Sequence, residues 1–154
     1  MNNFRIFNKS KWLFCFILLG VLVLSACQTA AITTTSGEAV INVVTDPKLG
    51  KILVGNNGMT LYIYTKDAPN QSNCSGQCLI NWPALVTKGN PTLGAGVDKS
   101  LVGTAALADG SKIVTYNKMP LYYWAKDTKA GDTTGQNVGS VWFVISPDGN
   151  VVGK

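Results

Sequence analysis

The sequence predicts an all-β (mainly β) domain built from two pseudo-symmetric, hairpin-containing units of about 60 residues each. Three observations carry that expectation. The chain matches itself at an offset of 60 residues. Turn signals of the hairpin type fall at corresponding places in the two copies. After Cys27, no segment sustains the three-to-four-residue apolar period of an amphipathic helix.

The self-match is densest where Asn57-Gly58-Met59-Thr60-Leu61-Tyr62-Ile63-Tyr64-Thr65-Lys66-Asp67 aligns with Asn117-Lys118-Met119-Pro120-Leu121-Tyr122-Tyr123-Trp124-Ala125-Lys126-Asp127. Read without a gap, the same offset places Trp82 on Trp142 and Gly50 on Gly110. The units therefore run about 45–85 and 105–145, within a domain of 45–154. In the first, Lys51 to Gly55 and Met59 to Thr65 flank Asn57-Gly58, a strong turn dipeptide. In the second, Ile113 to Tyr116 and Met119 to Ala125 flank Asn117-Lys118. Asp109-Gly110 marks a further turn, and Pro147-Asp148-Gly149 joins Val141 to Ile145 with Asn150-Val151-Val152. Thr104 to Ala108 is expected to form a single helical turn.

Strand alternation sorts these residues onto faces. Tyr62 and Tyr64 lie opposite Leu61 and Ile63, and Tyr122 and Trp124 lie opposite Leu121 and Tyr123. The aromatic pairs either stack as a core between the units or, with Trp82 and Trp142, line a shared ligand groove; core is the ordinary fate of such a stripe.

The N-terminus is organised differently. Arg5, Lys9 and Lys11 precede an apolar run of 13 residues, Trp12 to Leu24. That length suits a signal-peptide core and is short for a membrane span. The run ends in Leu24-Ser25-Ala26-Cys27, which resembles the lipobox of bacterial lipoproteins. The resemblance implies a cleaved signal peptide at 1–26, diacylation of Cys27, and attachment by acyl chains rather than a helix. Gln28 stands where an aspartate would favour inner-membrane retention, so an outer-membrane address is expected if the host is Gram-negative. Residues 27–44 are read as the lipidated cysteine and a flexible tether.

Loss of the signal peptide leaves ten Lys, no Arg and eight acidic residues, a formal charge of +2 against +5 for the whole chain. With no basic run, nucleic acid is not an expected partner. The expected partners are the membrane, through the lipid, and envelope proteins or cell-wall components. Cys74 and Cys78 remain in a compartment where disulfides persist, and their pairing is expected. The alternatives are a redox pair, whose usual spacing differs, or half of a metal site, which two thiolates without histidine make poorly.

Tyr62-x-Tyr64-x-x-Asp67 and Tyr122-x-Trp124-x-x-Asp127 match a paired Yx(F/W/Y)xxD signature. Ser72-Asn73-Cys74, Cys78, Trp82-Pro83, Gly131-Asp132, Gly135-Gln136 and Gly139-x-Val141-Trp142 accompany it. Over about 50–147 the chain resembles a family of bacterial lipoproteins, also described as a secreted repeat of unknown function. The resemblance implies a repeat architecture and an envelope location, with no established activity. The family often carries histidine at the position after Trp142; Phe143 stands there, so a metal or haem role that would use that histidine does not carry over from the resemblance.

Chemistry is sparse. The chain has no histidine, and the mature part no arginine, so the commonest general base and the bidentate anion clamp are both missing. No catalytic residue, metal site or cofactor is expected. Asp67 and Asp127 are the best acidic candidates, as paired carboxylates for glycan hydrolysis or, with Asp132, as oxygen ligands for a cation. Each also closes a strand before turn-prone residues, where carboxylates cap backbone N–H groups. The expectation is a non-enzymatic binding or structural module of the envelope. A first alternative is an accessory of envelope electron transfer holding a flavin, quinone or haem, with Met59 or Met119 as the available iron ligands. A second is a glycan-active enzyme using Asp67 and Asp127.

Overall fold

The computed structural model describes residues 38–154; the signal peptide and Cys27 lie outside them. The chain is mainly β. Its strands are β1 (Val40–Asp46), β2 (Gly50–Val54), β3 (Tyr62–Tyr64), β4 (Val86–Thr87), β5 (Thr92–Leu93), β6 (Val102–Ala106), β7 (Lys112–Tyr116), β8 (Met119–Pro120) and β9 (Trp142–Val144). Among the described residues one short α-helix, α1 (Gln77–Asn81), follows Cys74 and contains Cys78. Among the described residues no helix is long and apolar enough to cross a membrane.

Each unit begins with an antiparallel hairpin. β1 pairs with β2 (Val43 opposite Leu53), and β6 pairs with β7 (Thr104 opposite Val114). Thr104 to Ala106 is thus strand and not the helical turn expected. The alanines favour helix only weakly, and a full ladder to β7 outweighs that preference. β1 also begins inside the stretch read as tether. Ala39 and Ile41 are buried, so the ordered domain starts earlier than the expected residue 45.

The second hairpin of each unit differs between copies. β7 and β8 close through Asn117 and Lys118, both at positive φ (46° and 65°), a two-residue turn whose twist suits the strands it joins. In the first unit the turn is longer. Asn56–Gly58 makes a 3-10 turn with Asn57 at φ 58°, and Gly55 N–H bonds to the Met59 carbonyl (2.7 Å). Leu61 N–H then bonds to the Leu53 carbonyl, whereas Leu121 N–H bonds to that of Val114. The separations are eight and seven residues, so the first turn holds one residue more. The gapless offset of 60 fails before that turn: Leu53 corresponds to Val114, and Gly50 is not the structural mate of Gly110.

Beyond these turns the units exchange partners. Residues of β3 pair with β9 of the second unit, Tyr62 opposite Val144 and Tyr64 opposite Trp142. In the mirrored half, Tyr122 bridges to Ala84 and Tyr123 N–H bonds to the Pro83 carbonyl (2.8 Å). Leu53 N–H reaches Ile145, and Val114 N–H reaches Leu85. The end of each unit is therefore the neighbour of the other unit's hairpin. The expected Met59-to-Thr65 strand is split: its first residues pair within the unit and its last across it.

Alternation on β3 and after β8 divides the interior in two. Leu61, Ile63 and Leu121 join Ile41, Leu53 and Val114 in one cluster, with Tyr123 packed against it. Tyr62, Tyr122, Trp82 and Trp142 form the other, flanked by Tyr64 and Trp124. The last hairpin is as expected, with Ile145 bridged to Val151 and Val152 N–H bonded to Val144.

Candidate functional site

The second cluster holds the four aromatics of the paired motif, Tyr62, Tyr64, Tyr122 and Trp124. Tyr62 and Tyr122 sit where the pseudo-twofold passes between the units. Tyr62 N–H bonds to the Tyr122 carbonyl (2.8 Å), and Tyr122 N–H returns the bond to Tyr62 (2.9 Å). Their side chains then cross. Tyr62 Oη–H donates to Asp127 Oδ2 (2.7 Å), and Tyr122 Oη–H donates to Asp67 Oδ2 (2.8 Å).

The second oxygen of each carboxylate serves its own loop. Asn73 N–H donates to Asp67 Oδ1 (2.7 Å). Thr134 N–H (3.0 Å) and its hydroxyl (2.6 Å) donate to Asp127 Oδ1. The phenol oxygens have matching second neighbours: Gly135 N–H donates to Tyr62 Oη (3.2 Å), and Ser72 Oγ lies 2.7 Å from Tyr122 Oη. Asp67 and Asp127 are 9% and 7% exposed, so the loops after them close over both carboxylates. Buried polar groups satisfied on all sides are positioned rather than free to react.

Burial dominates the electrostatics. It lifts the phenols of Tyr62 and Tyr122 far above their ordinary range, and the hydrogen-bonded carboxylates add to the effect. Burial also raises Asp67, opposed by the Asn73 N–H and the Tyr122 hydroxyl.

Between the two crossings lies a stack of four rings. Trp82 and Trp142, the matched tryptophans, face each other at 3.8 Å between centroids with 4° between planes. Trp124 covers the far side of Trp82 (4.1 Å), and Tyr64 that of Trp142 (4.3 Å). Tyr62 meets Trp82 edge-on at 5.5 Å, and Tyr122 meets Trp142 edge-on at 5.3 Å. Such pairs add about 0.5–1.5 kcal/mol each beyond the area they bury. The six rings considered as a shared groove thus fill one another's space. Only Tyr64 and Trp124, at the ends, remain partly accessible, and Lys126 Nζ lies 5.5 Å from the Trp124 ring.

Two supporting residues carried no assigned role in the sequence. Gly135 packs against the stack so closely that a Cβ there would lie 2.8 Å from Tyr62 Cζ and 3.0 Å from Trp82 Cη2. Gln136 accepts from Val144 N–H (2.8 Å) and donates to the Val152 carbonyl (2.7 Å), tying β9 to the C-terminal residues. Both stood in the Gly135-Gln136 motif element, the one signal that could have found them.

Cys74 and Cys78 are disulfide-bonded, with Cα atoms 5.3 Å apart, at the entry to α1. Buried Cys74 packs in the aromatic cluster. Asp132 caps its own turn, accepting from the N–H groups of Thr128 (2.9 Å) and Lys129 (3.1 Å). Among the described residues no group of three or more His, Cys, Asp or Glu is placed to hold a metal. Met59 lines a surface cleft of about 360 Å³ with Asn56, Ala84, Val86 and Tyr123, away from the ring stack, and Met119 packs on the first cluster.

A two-unit β domain whose repeats share one aromatic core is a tandem-repeat module. Two segments, 43–86 and 103–146, match the family described as a secreted repeat of unknown function, and the chain belongs to that family. Its setting is accordingly extracellular or in the envelope. No curated protein and no solved structure matches the chain.

Proposed function

We propose that this secreted repeat protein is a non-enzymatic module of the cell envelope, held to a membrane by lipid on Cys27 and serving as a binding or structural element there. The observation that carries the reading is the crossed pair of Tyr–Asp bonds. It engages both carboxylates that glycan chemistry would need, one oxygen on a phenol and the other on a backbone N–H. A retaining or inverting hydrolase instead keeps its carboxyl groups open to a sugar and to water. The mutual packing of the six rings, four stacked and two edge-on, argues likewise against a flat cofactor held between the repeats. The lipobox residues Leu24-Ser25-Ala26-Cys27 support the anchor.

The test is metabolic labelling with a radioactive fatty acid in cells producing the full chain. The wild-type protein is expected to take up label and partition with membranes, and Cys27→Ser to lose both. Label retained by Cys27→Ser would overturn the anchor. For the domain, Asp67→Asn and Asp127→Asn are expected to lower stability; a hydrolytic activity on envelope glycans lost in folded variants would overturn the non-enzymatic reading.

A further inference from the structure

The two repeats differ at one sheet edge. Along β1 the first outward carbonyls are taken by β5, Thr92 N–H bonding to Ala39 and Gly94 N–H to Ile41, both at 2.8 Å, while Val43 and Thr45 extend past it. The counterpart of β1 in the second repeat is β6, and its edge is open. Asn117 N–H bonds to the Leu101 carbonyl and Leu107 N–H to that of Ser111. In an antiparallel ladder such groups alternate, so Leu101, Gly103, Ala105 and Leu107 face β7 while Val102, Thr104 and Ala106 face outward. Among the described residues, nothing bonds to the N–H or carbonyl of Thr104 or Ala106. Both residues are exposed. Val102 to Ala106 contains neither the lysine nor the proline that ordinarily blunts an edge, and its side chains are small.

We propose that this edge is the contact between two copies of the chain, β6 against β6 in antiparallel register about a twofold axis at Thr104. Three features fit a second copy. Outward groups on alternate residues are self-complementary under a twofold, so Thr104 faces Thr104 of the other copy and Val102 faces Ala106. That register makes about four inter-chain hydrogen bonds, because Val102 N–H already bonds to Lys99. The same register brings Lys99, just before β6, toward Asp109, in the turn after it, once on each side of the axis. Both are exposed, and neither belongs to an ion pair among the described residues. Opposite charges at the two ends of the edge select antiparallel pairing of like strands, since sliding or parallel pairing would forfeit both matches. The result is one continuous sheet in the order β4-β7-β6-β6-β7-β4 across the dimer.

The test uses the full chain in its own membranes. Facing residues of a hydrogen-bonded antiparallel pair have Cα atoms about 5.5 Å apart, within disulfide range. Cys74 and Cys78 are paired and Cys27 is expected to carry lipid, so Thr104→Cys supplies the free thiol. Thr104→Cys is expected to give a disulfide-linked dimer on a non-reducing gel, and Lys51→Cys, exposed on β2, to give at most a tenth as much. Lys99→Glu added to Thr104→Cys should cut the dimer threefold or more. Absence of the Thr104→Cys dimer, or equal cross-linking at Lys51→Cys, overturns the proposal. Amide exchange on the unsubstituted protein guards against a variant that fails to fold: concentration-dependent protection of Thr104 and Ala106 supports the contact. Exchange of both at the rate of an unprotected strand edge at every concentration overturns it. Protection independent of concentration overturns it too, and would indicate a segment of the same chain on the edge.

Discussion

The Tyr62 hydroxyl donates to Asp127, 65 residues further along the chain, while the Asp67 that follows Tyr62 accepts a hydrogen bond from the Tyr122 hydroxyl. The motif therefore does not act within a repeat. Each copy supplies half of two identical clasps, and each clasp spans the boundary between copies.

Breaking one clasp leaves a buried carboxylate short of a donor. Tyr62→Phe and Tyr122→Phe are each expected to destabilise the domain by about 1–3 kcal/mol, the cost of leaving one buried acceptor oxygen without its donor. Urea denaturation followed by tryptophan fluorescence measures it. Combining Tyr62→Phe with Asp127→Asn should cost less than the two single losses together, because the residues share one bond. Strict additivity would deny the coupling.

The raised tyrosines set an alkaline limit. A phenol whose pKa is higher folded than unfolded contributes stability that is complete below its ordinary value of 10.0 and is lost as pH rises toward the folded value. Stability should therefore hold to about pH 10 and fall beyond it. Tyr62→Phe, though weaker at neutral pH, should show a shallower fall. Thermal melts between pH 8 and pH 12 decide it, and an identical slope in the variant would contradict the assignment.

Asp67 behaves in the same sense at acid pH. Burial raises its pKa above 3.8, so its contribution is most favourable below that value and declines as pH rises through the raised one. Asp67→Asn should remove that decline. Parallel stability–pH profiles for the wild-type and Asp67→Asn proteins through this window would show the expectation to be wrong.

Gly135 is set by space. An added methyl group meets Tyr62 and Trp82 at 2.8–3.0 Å, two side chains locked in the stack. Gly135→Ala is expected to cost about 1–3 kcal/mol, the usual penalty of overpacking, and to change the near-ultraviolet circular dichroism of the tryptophans. An unchanged spectrum and midpoint would mean that the stack yields easily.

The disulfide closes a small loop and should contribute about 2 kcal/mol in the chain-entropy model. Cys74→Ser with Cys78→Ser should lower the unfolding midpoint accordingly without abolishing the fold. In the native protein the two sulfurs should resist thiol reagents until reduction.

Much of this architecture is legible in the residues. Asn117-Lys118, Asp109-Gly110 and Pro147-Asp148-Gly149 mark turns that exist, and the self-match names the aromatics that meet at the centre. Local chemistry suffices there because a turn is decided by the residues in it. The extra residue in the first turn is hidden because the match resumes at Asn57, where a shared asparagine masks the shift. Val40 to Val44 reads as tether from sequence because its order comes from β2 and β5, not from its own pattern. Thr104 to Ala106 is strand for the same reason. The Asp67–Tyr122 and Asp127–Tyr62 bonds were out of reach, since identical motifs cannot say which tyrosine serves which aspartate. Capping by these carboxylates was legible, and their loops do use them so.

The exchange of strands has a consequence for how the molecule is made. Leu53 needs Ile145, Tyr62 needs Val144, and the first carboxylate needs Tyr122. No half of the chain can complete its own core, and contacts this distant in sequence close late. A polypeptide delivered through a membrane N-terminus first would stay slack and threadable until nearly its last residue had crossed. It would then lock in a single step on the side where it is to remain.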